Sequence, residues 1–328
     1  MDVPVAWTGA SGHLLHERWI PPWIRDDLAA LISELEAAAP PGLNHTRTAF
    51  RQPPDKGLPP TRRRNIAMRQ LLDRRFELLV AVRLVRAGVL TKISSGTPDF
   101  KCSWQGTEFG IEATTRTRPE AGSAMRDLLE DGLFSGPDVE VILARSEDKL
   151  LFADPDKTAA IAGRVVTAIK ERAAAAAGQP VTGTIPVPEL GFTAVLHDAG
   201  PVCVPGRRVT CEPPLTDEQW DYHWKYAALQ IKDPIEKEKG RKTYALPSIV
   251  VLDVSRVGVV GQAPADASWM GKFQEVLDEC NLGNLSGALV VRSELVSNIL
   301  HPLCWRGEES LLDAAAAVLL GRRLPKEA

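Results

Sequence analysis

The chain has 328 residues, 44% of them hydrophobic and 25% charged, a balance typical of a globular protein with a real core, so disorder of the whole chain is excluded. That length admits one elaborated domain or two modest ones. The formal charge of −3 gives no global field for a polyanion, so any nucleic-acid binding has to come from a local basic surface.

Residues 1 to about 60 are rich in proline, and Pro21, Pro22, Pro40, Pro41, Pro53, Pro54, Pro59 and Pro60 act as helix stops. Between them one helix is predicted from about Asp26 to Ala39, with Leu28, Leu31, Ile32 and Leu35 at helical spacing. The start lacks a basic stretch followed by an apolar run, and no segment reaches the roughly 18 apolar residues that span a bilayer, so a cytoplasmic protein without membrane contact is expected. His13 and His16 are three apart but have no third ligand nearby. Five cysteines, at 102, 203, 211, 280 and 304, form no CxxC pair and read as reduced thiols; Cys203 and Cys211 bracket a Pro205-Gly206 hairpin turn.

A long helix is predicted from Asn65 to Ala87, free of proline and glycine and stopped by Gly88. Arg62, Arg63, Arg64, Arg69, Arg74, Arg75, Arg83 and Arg86 make this region a candidate basic surface. Glu77 lies within its most apolar part, where a carboxylate costs free energy unless a cation or donor meets it. Two strands follow, with Phe100, Cys102 and Trp104 alternating in the first and Phe109, Ile111 and Ala113 in the second; the turn Gln105-Gly106 joins them into a hairpin.

Residues at about 120–215 read as an α/β elaboration, with a strand over Val139–Leu143, a helix from Asp154-Pro155 through the alanine run at 173–177, and a second hairpin of strands near Phe192–Leu196 and Arg208–Cys211. Thr216 and Gln219 open a helix running through Trp220, Trp224 and Leu229, and Asp233-Pro234 starts another that carries Lys232, Lys237, Lys239, Arg241 and Lys242. After Pro247 come two apolar strands, at 248–254 and 287–291, of the kind buried on both faces. An apolar helix from Leu311 to Leu320 and a basic tail complete the chain. There is no Walker loop, no GxGxxG and no GxSxG, which argues against a nucleotide-powered enzyme.

The order is therefore acidic helix, Asp-bearing strand, Glu-bearing strand, basic helix, buried strand. A hairpin brings Asp99 and Glu112 close enough to share one hard cation, and Glu112 and Thr114, two apart on a strand, face the same way. Pro98-Asp99 followed by Glu112 resembles the PD-(D/E)XK nuclease signature, well over residues 70–118 and loosely over 225–255. The resemblance implies a restriction-endonuclease-like central mixed sheet flanked by helices, an α/β fold. Its parts would be an N-terminal proline-rich helical extension (1–64), a nuclease-like core (65–300) with an insertion at about 120–215, and a C-terminal helix and tail (301–328). It further implies a Mg²⁺ or Mn²⁺ site made by Glu77, Asp99, Glu112 and the main-chain carbonyl of Ala113, hydrolysing DNA phosphodiester bonds.

The family usually places lysine two residues after the glutamate, and here Thr114 holds that place, so either the lysine has moved or activity has been lost. Lys101, Lys232 and Lys239 are the candidates for a displaced lysine, the last two because seven residues set them on one side of a helix. Arg69, Arg74, Arg116 and Arg118 are candidate nucleic-acid contacts, Arg116 also being a poor proton acceptor in the lysine role. The resemblance points to DNA as partner, with RNA open, to a homodimer or a protein partner in a defence complex, and to a bacterial role against foreign DNA. The alternative is a catalytically silent protein of the same fold that binds nucleic acid or assembles with protein.

Overall fold

The computed structural model describes residues 4–8, 22–51, 60–118, 121–133, 139–145, 155–198, 209–211, 217–257, 268–294, 298–321 and 324, with the side chains of 5, 22, 23, 60–69, 117, 118, 121, 123, 131, 155, 198, 219, 222 and 268 outside that set. His13, His16, Cys203 and the Pro205-Gly206 turn lie outside the described residues. The chain divides into two compact units, the first made of 1–117, 228–255 and 265–328, the second of 118–227 with 256–264. The fold is α/β.

In chain order the helices are α1 (Val5–Thr8), α2 (Pro22–Ala38), α3 (Leu43–Arg51), α4 (Pro60–Arg86), α5 (Ala121–Leu133), α6 (Pro155–Ala176), α7 (Asp217–Leu229), α8 (Ser268–Glu279) and α9 (Glu309–Leu320). The strands are β1 (Leu90–Ile93), β2 (Phe100–Trp104), β3 (Thr107–Arg118), β4 (Val139–Arg145), β5 (Gly183–Val187), β6 (Phe192–Asp198), β7 (Val209–Cys211), β8 (Ser248–Val257), β9 (Gly287–Ser293) and β10 (Leu300–Gly307).

The first unit is built on a six-stranded mixed sheet in the order β1-β2-β3-β8-β9-β10, in which β2 runs antiparallel to both β1 and β3, β8 parallel to β9, and β10 antiparallel to β9. The period-two pattern decides which face is which. Phe100, Cys102, Phe109, Ile111 and Ala113 join one core with Phe76, Leu79 and Val80 of α4 and with Leu28, Ile32 and Leu35 of α2, so Gly110 and Glu112, between them on β3, face the other way. β8 is buried along Ser248–Val254, as the unbroken apolar run requires of a central strand. Gly110 lets β3 come close to its neighbours: a Cβ there would stand 2.4 Å from both the Pro98 ring and the Ser248 hydroxyl. Its amide donates to the Pro247 carbonyl at 2.8 Å.

The second unit carries a four-stranded sheet, β5-β6-β4-β7, with Met125, Leu129, Ile161, Val165 and Ile169 of α5 and α6 in its core. Here the sequence reading needs correction. The strands at 192–198 and 209–211 do not form a hairpin, because β6 pairs antiparallel with both β5 and β4 while β7 lies parallel on the far side of β4. Helices α3, α5 and α8 and strands β1, β5 and β10 were also not foreseen. β10 runs from Leu300 to Gly307 and is one edge strand of the six-stranded sheet, where only a helix and tail were expected.

Candidate functional site

Register fixes the first two acids. β2 and β3 pair Phe100 with Ile111, and one residue beyond this Asp99 stands opposite Glu112. Asp99 turns its Oδ2 across to accept the Ala113 amide at 3.0 Å. Glu112 is completely buried. Its Oε2 takes the Lys239 ammonium at 2.6 Å and that of Lys242 at 3.3 Å, and its Oε1 has no hydrogen-bond partner.

The third acid comes from α4. Glu77, about a third exposed, accepts Arg74 Nη1 at 2.7 Å one helical turn away. Burial raises its carboxyl above the usual range, against the pull of Arg74 and Lys239 and with a push from Asp73. Asp99 is the group that links the set. Burial, then the negative charge of Glu112, opposed by Lys239 and joined by Glu77, lifts its carboxyl to about 7. The three acids foreseen from sequence thus share one electrostatic neighbourhood, with an ammonium among them.

That ammonium is carried by an unusual turn. Residues Pro234–Lys239 form a π-helix, closed by the Gly240 amide donating to the Ile235 carbonyl at 2.6 Å. Pro234 has no amide to donate, which favours the wider i→i+5 pattern; such turns occur mainly as single bulges, frequently at functional sites. The turn is then clamped: a Cβ on Gly240 would stand 2.8 Å from the Leu282 carbonyl oxygen, and one on Gly283 only 2.3 Å from that of Gly240. The Tyr244 hydroxyl donates to the Lys239 carbonyl at 2.9 Å, and burial followed by Glu112 and Asp99 pushes that phenol far up. For Lys239, burial alone would lower the ammonium, but Asp99 and Glu112 outweigh it and the net shift is upward.

The other candidates sort by position. Lys232 does not share a face with Lys239 across a regular helix, because the wider turn breaks the seven-residue relation; it lies 4.0 Å from Glu236, whose other contact is the Asn281 amide. Lys101 sits on β2 opposite Gly110 and contributes none of the charge contacts felt at Asp99. Arg116 is tied to Glu238 at 3.3 Å, and the side chains of Arg69 and Arg118 fall outside the described residues. Lys242 and Tyr244 were not singled out from sequence as site residues, since nothing in an exposed basic run tells which lysine turns inward.

Beside the acids opens a cleft of about 360 Å³, lined by His45, Thr46 and Thr48 of α3, by Arg74 and Glu77, and by Ser94–Gly96 and Asp99. A larger hollow of about 530 Å³ is lined by Thr243–Pro247 and Asn284 and presents no charged side chain. Among the described residues, no three His, Cys, Asp or Glu side chains stand in metal-holding geometry. The donor set nevertheless suits a hard cation: carboxylate oxygens only, one of them buried without any partner. Glu112 is paired with Lys239 and Glu77 with Arg74. No helix among the described residues is long and apolar enough to cross a membrane. Comparison of the chain with protein-family models, with curated proteins and with solved structures gave no match.

Proposed function

We propose that the chain is a Mg²⁺- or Mn²⁺-dependent nuclease of the PD-(D/E)XK kind acting on DNA. One observation carries this reading: Asp99, just before β2, accepts the amide of Ala113, the residue after Glu112 on β3, and a lysine from another element reaches Glu112 although Thr114 holds the usual lysine place. Lys239 is the displaced lysine in this reading, with Lys242 beside it. The sheet order supports it too, since the Glu-bearing strand β3 lies between β2, which Asp99 immediately precedes, and the buried strand β8, which is entered from the basic segment.

A bound divalent ion supplies Lewis-acid polarisation of the phosphate and a water of lowered pKa. Asp99, Glu112 and Glu77 would hold it. The chain's own residues do the rest. Lys239 presents positive charge where charge develops on the phosphate oxygens, in a buried setting that keeps water from screening it. Arg74, on the cleft wall, places a second cation for the backbone of the strand, and the hydroxyls of Thr46 and Ser95 provide neutral donors. A role in defence against foreign DNA is part of this proposal and rests on resemblance alone.

The test is plasmid cleavage in Mg²⁺ or Mn²⁺ by the parent and by an Asp99→Ala, Glu112→Ala double variant. Cleavage by the parent alone supports the enzyme. A second reading, a silent protein of the same fold, is favoured by Thr114 and by the unassembled cage; DNA binding without cleavage by the parent would establish it.

A further inference from the structure

Glu112 presents an unusual imbalance. Its carboxylate is fully buried, yet both ammonium contacts fall on Oε2 and Oε1 is left with none. A structural ion pair shut away from water is stable only when the remaining lone pairs are also satisfied. Here they are not, so the ammonium is an incomplete answer to the charge around it. Three carboxylates face it, and one unit of positive charge from Lys239 is felt at both Asp99 and Glu77. The Lys239 side chain is 13% exposed and that of Lys242 40%, so a route to solvent exists for both. The main chain beneath Lys239 is pinned by the π-turn, by the Gly240–Gly283 contact and by Tyr244, which leaves motion to the four-carbon stem.

We propose that Lys239 is a resident counter-ion, exchanged for the divalent cation: its ammonium holds the acidic cluster together in the metal-free protein and leaves Glu112 Oε2 when the ion enters. The inference rests on the metal-dependent reading above. The exchange orders the events. While Lys239 neutralises Glu112 it is not free to meet a phosphate, and a metal ion, by taking the carboxylate, releases the same side chain toward the substrate. Charge is accounted for, since one positive unit withdraws as two arrive among three carboxylates.

The experiment is Mn²⁺ binding by calorimetry at about pH 8, together with thermal unfolding with and without Mn²⁺, on the parent, Lys239→Met, Lys239→Gln and Lys239→Arg. Removing the competing charge should tighten Mn²⁺ binding by Lys239→Met about tenfold or more, because two cations a few Å apart in a partly buried site repel strongly. Metal-free Lys239→Met should melt below the parent, and saturating Mn²⁺ should close that gap; Lys239→Arg should bind no tighter than the parent. Lys239→Gln keeps a donor for Oε2 and serves if the methionine variant does not fold. Binding by the neutral variants that equals or falls below the parent's overturns the exchange and leaves the metal site standing. No Mn²⁺ binding by parent or variants overturns both.

Discussion

Glu112 on β3 and Asp253 on β8 are buried carboxylates on neighbouring strands of one sheet, and their surroundings are opposite in kind. Asp253 has both oxygens filled: Oδ1 accepts the amides of Ser255 at 3.0 Å and Ser293 at 3.1 Å, and Oδ2 accepts the hydroxyls of the same two serines at 3.0 and 2.6 Å. Four donors from two residues pin the ends of β8 and β9 together. Glu112 has two ammoniums on one oxygen and nothing on the other. Burial alone therefore does not distinguish these two acids; the completeness of their hydrogen bonding does. In the metal-dependent reading proposed above, the carboxylate with every lone pair met is the structural one, and the half-met one is the ligand.

Two substitutions test that contrast most severely. Glu112→Gln should lower plasmid cleavage by about a thousandfold or more, on the order of 4 kcal/mol in the barrier, while the protein still folds, because the amide fills the same space and needs no counter-ion. Cleavage rates beside a circular-dichroism melt read both. Asp253→Asn should do the reverse. An amide nitrogen cannot accept the two donors it would face, so unfolding in urea should show a loss of about 2–4 kcal/mol, with Mn²⁺ affinity of the folded protein unchanged. If the asparagine variant loses metal binding and the glutamine variant does not, the assignment of roles is inverted.

Much of this contrast was open to reading in the sequence. The alternation around Phe100 and Ile111 sets the hairpin register, and register alone brings Asp99 opposite Glu112, so two acids of the cluster follow from pattern and a tight turn. Glu77 was legible as a charge in an apolar stretch of helix. Which lysine reaches Glu112 was not, because Lys232 and Lys239 look equivalent in any helix of regular pitch. Only the π-turn after Pro234 distinguishes them, and a single-residue change of hydrogen-bond pattern leaves no periodic trace. Strand β10 was missed for a different reason: Pro302 interrupts its alternation, and the pairing with β9 shifts register just there, between Pro302 and Cys304. Partner strands, not propensity, make it a strand.

Asp99 extends the comparison to pH. Its carboxyl is raised from an ordinary 3.8 to about 7, so the folded protein binds the proton more tightly than the unfolded chain does. The stabilisation is complete below about pH 4 and is lost as pH rises through about 7. Metal-free Asp99→Asn should therefore be more stable than the parent at about pH 8, by about 1–3 kcal/mol, with the gain fading toward pH 4. Urea unfolding at the two ends of that range decides it. A uniform gain would mean that the carboxylate's charge is not what costs stability.

His223 on α7 gives the smallest effect and the sharpest control, because it too has a buried ring nitrogen, Nδ1, without a partner. Burial first, and the charge of Arg145 second, depress its imidazole from 6.5 to about 3. It belongs to the second unit and lines neither of the two cavities described above. The ring is held neutral, so its contribution is present above about pH 6.5 and is lost as pH falls toward 3, opposite in sign to Asp99. His223→Gln should flatten the fall in stability between about pH 7 and pH 5 by about 1 kcal/mol, whatever the packing change does to the absolute value, and leave Mn²⁺ binding where it was. An unpartnered atom outside a cluster of like charges is then a cost of packing, and only the Glu112 kind marks a site. A loss of Mn²⁺ affinity in this variant would remove that distinction, because it would show that an orphaned polar atom anywhere in the chain can serve the metal.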